Sequence, residues 1–251
     1  MSPSPDGRKD VGPPSPMKPA KFVSPKTVAL YGILTALTTA ITYASYTPFS
    51  PTKGYFNLGD SMVFFCALTF GWRAGMICGG VGSAVADVLL GSGIYAPITL
   101  VAKGAEGFVA GVLGRRKPGA IWVLATGVYM GALAALLSLK VHWPDPWTQV
   151  EEWYLFLAVL IIGMAIVYGI ALTFKERFTI WTPVLLATAV GGTCMVTAYF
   201  AGEYFLLNVG LGKALLEVPV NVGQVLLGGL IGALLSYYVK KSYPQVAAQQ
   251  A

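Results

Sequence analysis

The chain has 251 residues, of which 55% are apolar and 11% charged, and its mean hydropathy is +0.66. A soluble domain carries roughly 25% charged residues, so this composition excludes an ordinary water-soluble fold. The formal net charge of +6 does not point to nucleic acid, because the cations collect at the ends of apolar segments.

Residues 1–25 are rich in Pro, Ser, Gly and charge and read as a disordered cytoplasmic tail. The tail is too long and polar for the start of a signal peptide, and the apolar segment behind it lacks a clear cleavage site, so that segment is predicted to be a retained helix. A helix needs about 20 apolar residues to cross the hydrocarbon core. Eight segments qualify, near 26–46, 58–72, 74–91, 96–114, 119–139, 153–174, 180–206 and 214–239. The second is short, and the third and fourth are glycine-rich, so tilts or breaks are expected there. The long runs exclude strands, and no alternating pattern suggests a barrel. The predicted fold class is therefore an all-α integral membrane protein, a polytopic helical bundle over residues 26–239 with a cytoplasmic tail at 240–251.

The first segment carries Gly32, Ala36, Ala40 and Ala44 at four-residue spacing. Such a stripe lets another helix approach closely. Two readings stand, internal packing and docking of a separate subunit. The pairs Gly75/Gly79, Gly107/Gly111, Gly127/Gly131 and Gly228/Gly232 repeat the spacing and read as internal packing. The loop at 47–57, with Pro48, Pro51, Gly54, Tyr55, Phe56 and Asn57, is either a lid over a pocket or a passive connector.

The third and fourth segments keep Asp87, Lys103 and Glu106 at membrane depth. Charges there cost several kcal/mol unless they pair or line a polar cavity, so they mark a site by default. Lys103 and Glu106 are three apart and share a helix face. They form either an ion-pair network that joins helices or a polar pocket in the outer half of the membrane, with Tyr95 and Thr99 at its mouth. Asp87 is expected as the structural ion partner of Lys103.

Between the fifth and sixth segments, Trp143 and Trp147 fit an interfacial anchor. His142 is the only histidine, so no metal centre or catalytic triad is expected. Cys66, Cys78 and Cys194 have no metal spacing and read as small buried hydrophobes. Glu203 follows Tyr199 at the end of the seventh segment. The eighth opens with Glu217, Asn221 and Gln224 at i, i+4 and i+7, one helical face that needs hydrogen-bonding partners inside a membrane. Pro219 is placed near the start of that helix, where proline is tolerated.

Numbering the loops alternately from the inside puts thirteen Lys and Arg residues inside and three outside, Lys53, Lys140 and Lys213. This asymmetry predicts eight spans with both termini cytoplasmic in the cell membrane. Other chemistries are absent. The segment GLGKALLE lacks the first glycine and the hydroxyl residue of a P-loop, and there is no H-E-x-x-H or G-x-S-x-G. No catalytic residue, metal or cofactor is expected.

The block GGVGSAVADVLLGSGIYAPITLVAKGAEGFVAGVLG, with FNLGDSMVFFCALTFGWRAG before it and VGGTCMVTAYFAGEYFLL and LEVPVNVGQVLLGGLIGALL late in the chain, resembles the substrate-binding S components of energy-coupling factor (ECF) transporters, riboflavin-type branch. The resemblance covers about 26–114 and 183–239. It implies a six-helix core, and here two further helices are inserted at about 119–174. It also implies a binder of a vitamin or vitamin precursor, without ATPase activity, that works with a membrane-embedded T subunit and two ATPase subunits. The stripe of Gly32, Ala36, Ala40 and Ala44 resembles the family's docking motif. The predicted ligand site lies between the fourth segment and the start of the eighth, under the 47–57 loop. Its residues are Asn57, Tyr95, Lys103, Glu106, Tyr199, Glu217, Asn221 and Gln224. Riboflavin is the first substrate guess among several small heterocycles. A secondary transporter with Asp87, Glu106 or Glu217 as its ion site, and an intramembrane enzyme or scaffold, are the alternative classes.

Overall fold

The computed structural model describes residues 24–48, 54–115 and 182–245. They form helices α1 (Pro25–Ala44), α2 (Gly59–Phe70), α3 (Trp72–Leu89), α4 (Ala96–Leu113), α5 (Thr182–Ala201) and α6 (Leu211–Ser242). A π-helical turn, Gly202–Leu206, continues α5. The helical membrane fold is as the composition requires, and α1, α4, α5 with its π turn, and α6 are each long and apolar enough to cross a bilayer. The segments expected at 119–139 and 153–174, and with them the inserted helix pair, lie outside the described residues, as do residues 1–23.

Local chemistry sets the helix boundaries. Ser24 caps α1 by accepting from the Thr27 N–H at 3.2 Å, and Pro25 follows at the first helical position, where its missing N–H costs nothing. α2 and α3 are separated by a single residue, Gly71, at φ 92° and ψ 179°, a conformation that essentially only glycine adopts. Arg115 crosses from the end of α4 and donates to the Phe70 carbonyl at 3.2 Å. Its charge thereby sits at the C-terminal end of α2, where a helix dipole favours a cation.

Three elements differ from the sequence reading. α2 has 12 residues, a length of about 18 Å, short of the hydrocarbon thickness of about 30 Å. It is a core helix, buried along almost its whole length and packed by α1, α3, α4 and α6. α6 has 32 residues and begins at Leu211, so Pro219 is interior to the helix rather than near its start, and Lys240 and Lys241 are helical rather than part of a tail. The loop after α1 also contains a short antiparallel pair, β1 (Thr47–Pro48) and β2 (Tyr55–Phe56), where only loop was expected.

Small residues bring the helices together. A Cβ on Gly107 of α4 would lie 2.2 Å from the Gly75 carbonyl oxygen of α3, and one on Gly75 would lie 2.6 Å from the Gly107 carbonyl oxygen. Backbone therefore meets backbone along this seam. α6 approaches α2 in the same way through Gly228 and Gly232, which face Asp60, Ser61 and Phe64. α1 packs against α3 and α2 at the edge of the bundle. It buries Leu34, Thr38 and Thr42, and Thr39 donates to the Gly82 carbonyl of α3 at 2.8 Å.

The packing fixes the direction of every helix. Gly202, at the end of α5, faces Ile98 at the start of α4, while Gly114, at the end of α4, faces Ala187 near the start of α5. The chain thus leaves the described bundle after α4 and re-enters it at α5 from the same end. The opposite end receives the ends of α1, α3 and α5 and the starts of α4 and α6.

Candidate functional site

At that opposite end the buried polar residues converge. Asp87 comes from the last turn of α3, Tyr95 from the residue that opens α4, Thr99 and Lys103 from the first half of α4, and Tyr199 and Glu203 from the end of α5 and its π turn. Glu217, Asn221 and Gln224 come from the first half of α6, and Gly54, Tyr55 and Asn57 come from β2 and the residues that flank it. These twelve residues line one cavity. It encloses about 30 Å³, room for one or two waters.

Lys103 is the electrostatic centre. Its ammonium pairs with Asp60 of α2 and lies 3.5 Å from Glu106 Oε2. The Tyr199 ring centroid is 5.7 Å away, close enough for a cation–π contribution. The expected Asp87–Lys103 pair is therefore corrected. Asp60, in the first turn of α2, holds the lysine because α2 is threaded through the middle of the bundle. Asp87 instead accepts from the Tyr55 hydroxyl at 2.5 Å. Burial, with the Asp87 charge next in weight, pushes the Tyr55 hydroxyl far above the ordinary tyrosine range, so it remains a donor.

The strand before α2 is clamped to α6. Gln224 Oε1 accepts from both the backbone N–H and the side-chain amide of Asn57, at 2.8 and 2.6 Å. Its own amide donates to Asn221 Oδ1 at 3.0 Å, and Asn57 Oδ1 accepts from the Gly59 N–H, opening α2. Beside this chain, the Gly54 N–H donates to the Glu217 carboxylate. A Cβ at Gly54 would lie 2.1 Å from Glu217 Oε1, so a side chain there would push the carboxylate aside. On the other wall, Tyr199 and Thr99 share a hydrogen bond of 2.8 Å.

Seven of the eight residues expected in the site line the cavity: Asn57, Tyr95, Lys103, Tyr199, Glu217, Asn221 and Gln224. Glu106 does not. It lies one turn deeper on α4, behind Lys103 and fully buried. Within the group, Asn57 and Gln224 are spent largely on each other. Sequence reasoning missed Asp60 as the lysine's partner and gave Tyr55 no role in the site. The available signal for Asp60 was an acidic residue opening an apolar run, the same kind of signal that singled out Asp87. For Tyr55 the spacing gave none, since its contact with Asp87 bridges 32 residues.

The stripe on α1 lies apart from all this. Gly32, Ala36, Ala40 and Ala44 are exposed, and a Cβ added at Gly32 meets nothing within 4 Å. They lie about 200° around the helix from the buried Leu34, Thr38 and Thr42. Among the described residues there is no cluster of His, Cys, Asp and Glu that could hold a metal ion.

The family model for the S component of ECF-type riboflavin transporters matches residues 22–144. That span takes in α1 to α4, with Asp60, Asp87 and Lys103, and stops short of Tyr199, Glu203 and α6. An uncharacterized protein of Pyrococcus woesei, described as lying in a gap 3' region, is 33% identical over 194 residues, which is 77% of this chain and 88% of that protein.

Proposed function

This chain belongs to the family of ECF-type riboflavin transporter S components, and from that membership we propose that it is the substrate-binding membrane subunit of an importer for a vitamin or vitamin-precursor heterocycle. The observation that carries the reading is the cavity at one end of an otherwise apolar bundle, where aromatic rings and hydrogen-bonding groups from four helices and a strand converge. Flat rings suit the tyrosine faces, and ring heteroatoms suit amide and carboxylate groups.

The cavity end is the outer end. Among the described residues, Lys26, Arg73, Arg115, Lys240 and Lys241 stand at the opposite end of the bundle, and apart from the buried Lys103 only Lys213 stands near the cavity end. The positive-inside rule then puts both helix-bundle termini in the cytoplasm. A cavity of about 30 Å³ is far below the roughly 300 Å³ of a small-molecule pocket, so a heterocycle enters only as the 54–57 strand parts from α6. The contacts that yield are Asn57 with Gln224 and Gly54 with Glu217. This favours the lid reading of the loop over the passive one.

The exposed stripe of α1 is the docking face for the membrane-embedded T subunit, which couples the protein to two ATPase subunits. Its small side chains permit backbone approach by a partner helix, and the bundle itself leaves that face open. Binding outside and release inside then follow from a difference in affinity between the free and docked states.

The experiment that tests the binding role is a mass spectrum of small molecules released from the detergent-purified protein, paired with titration of riboflavin followed by quenching of its fluorescence. A stoichiometric heterocycle, or saturable quenching, is the expected result. A protein that releases nothing and binds no vitamin overturns the reading.

A further inference from the structure

The cavity gathers more buried carboxyl groups than its lysine answers. Five carboxylates, Asp60, Asp87, Glu106, Glu203 and Glu217, are each 2% exposed or less, and the one buried cation among the described residues is Lys103. That ammonium is already held by Asp60 and Glu106 on the side away from the opening. The three remaining carboxylates lie on the cavity wall. Asp87 accepts from the neutral hydroxyls of Tyr55 and Thr99, and Glu217 accepts from the neutral Gly54 amide. Oε2 of Glu203 and Oε1 of Glu217 are buried and accept from nothing among the described residues. The nearest free cation in the described chain, Lys213, is exposed on the first turn of α6.

Buried acceptors without donors are costly, and charged ones more so. The ligand that relieves the cost must bring donors, and to relieve the charge it must bring a positive one. The tyrosines agree, since Tyr55, Tyr95 and Tyr199 all line the same space and the face of an aromatic ring attracts a cation. A carboxylate or phosphate in this place would face three buried carboxyl groups, and a ring without donors would leave their oxygens unanswered.

We propose that the site is built for a planar nitrogen heterocycle that carries a positive charge, with N–H or cationic ring atoms directed at Glu203 and Glu217. The proposal rests on the binding role argued above and adds the charge of the ligand to it. Glu203 and Glu217 act as specificity-determining residues, while Lys103 holds the helices together behind them.

The test uses the full chain in detergent and three probes in calorimetric titrations: thiamine as a cationic heterocycle, riboflavin as a neutral one and nicotinate as an anionic one. Thiamine is expected to bind at least tenfold more tightly than riboflavin, and nicotinate not to bind. Glu203→Gln and Glu217→Gln are each expected to weaken thiamine about tenfold or more with the unfolding midpoint unchanged, the scale of losing a hydrogen bond to a charged group. The ranking of the three probes on the unaltered protein does not depend on either variant folding. Riboflavin binding as tightly as thiamine, or equal thiamine affinity in both folded glutamine variants, overturns the proposal and leaves the binding role standing. If no probe binds, the co-purified molecule decides. A cationic one upholds the proposal, a neutral or anionic one overturns it, and none at all overturns the binding role together with it.

Discussion

The α3–α4 seam and the outer face of α1 carry the same pattern, small residues four apart, in opposite settings. On α3 and α4 the pattern is consumed inside the chain, with Gly75 and Gly107 so close that neither tolerates a Cβ. On α1 the pattern faces outward, and Gly32 has open space around it. Spacing alone does not separate the two. The other face of each helix does. α1 presents Thr38 and Thr42 to the bundle, and Thr39 bonds to Gly82 of α3, so its inward side is already specified and the alanines are left over. On α4 Gly107 lies on the same face as Lys103, a residue that must be buried.

The comparison breaks most sharply at Gly107. Replacing it with Leu forces α3 and α4 apart along their backbones, a larger insult than the overpacking of a side-chain core, which costs roughly 1–3 kcal/mol. The expected outcome is loss of monodisperse protein on size-exclusion chromatography. Gly32→Leu should elute as the unaltered protein does. Equal behaviour of the two variants would mean that the seam is no tighter than the open face.

Next in size is the polar core that the seam encloses. Lys103→Met leaves Asp60 and Glu106 buried without a cation, and breaking a buried pair from one side costs about 3–5 kcal/mol. A lower unfolding midpoint is expected, with partial recovery when Asp60→Asn and Glu106→Gln are added, because partners in one network are not additive. No recovery would mean that the lysine stabilises the bundle through its stem rather than its charge.

Much of this was legible in the sequence, and what was not has a physical cause. Charges and amides in an apolar chain announce a site, and periodicity puts Glu217, Asn221 and Gln224 on one face. Those signals found seven residues of the cavity wall. Pairing was not legible. The choice of Asp60 over Asp87 for Lys103 depends on α2 running through the middle of the bundle, and a 12-residue helix gives no sign of that in its own pattern. The strand carrying Tyr55 and Asn57 was equally hidden, because its contacts with α3 and α6 span 32 and 167 residues.

A smaller effect is expected at the cavity wall itself. Asn221 is buried and accepts from Gln224, but it carries no charge and closes no helix seam. Asn221→Ala should leave the fold intact and weaken the ligand that co-purifies about tenfold or more, read by calorimetry after the ligand is stripped and added back. An unchanged dissociation constant here and in Glu217→Gln would move the ligand away from the α4–α6 wall.

The smallest effect on the isolated protein belongs to the stripe. Ala36 and Ala40 are exposed on α1, so Leu at both positions adds apolar surface where the bundle has nothing to displace. Surface substitutions of this kind stay within about 0.5 kcal/mol, and ligand affinity and unfolding midpoint should match the unaltered protein. The same change should abolish uptake in cells that carry the T subunit and ATPases, because a partner helix that needs backbone contact is held off by the larger side chains. The separation of the two readouts is the point. If binding and uptake fall together, α1 packs inward by this face and the stripe belongs with the α3–α4 seam. If neither falls, no helix docks there.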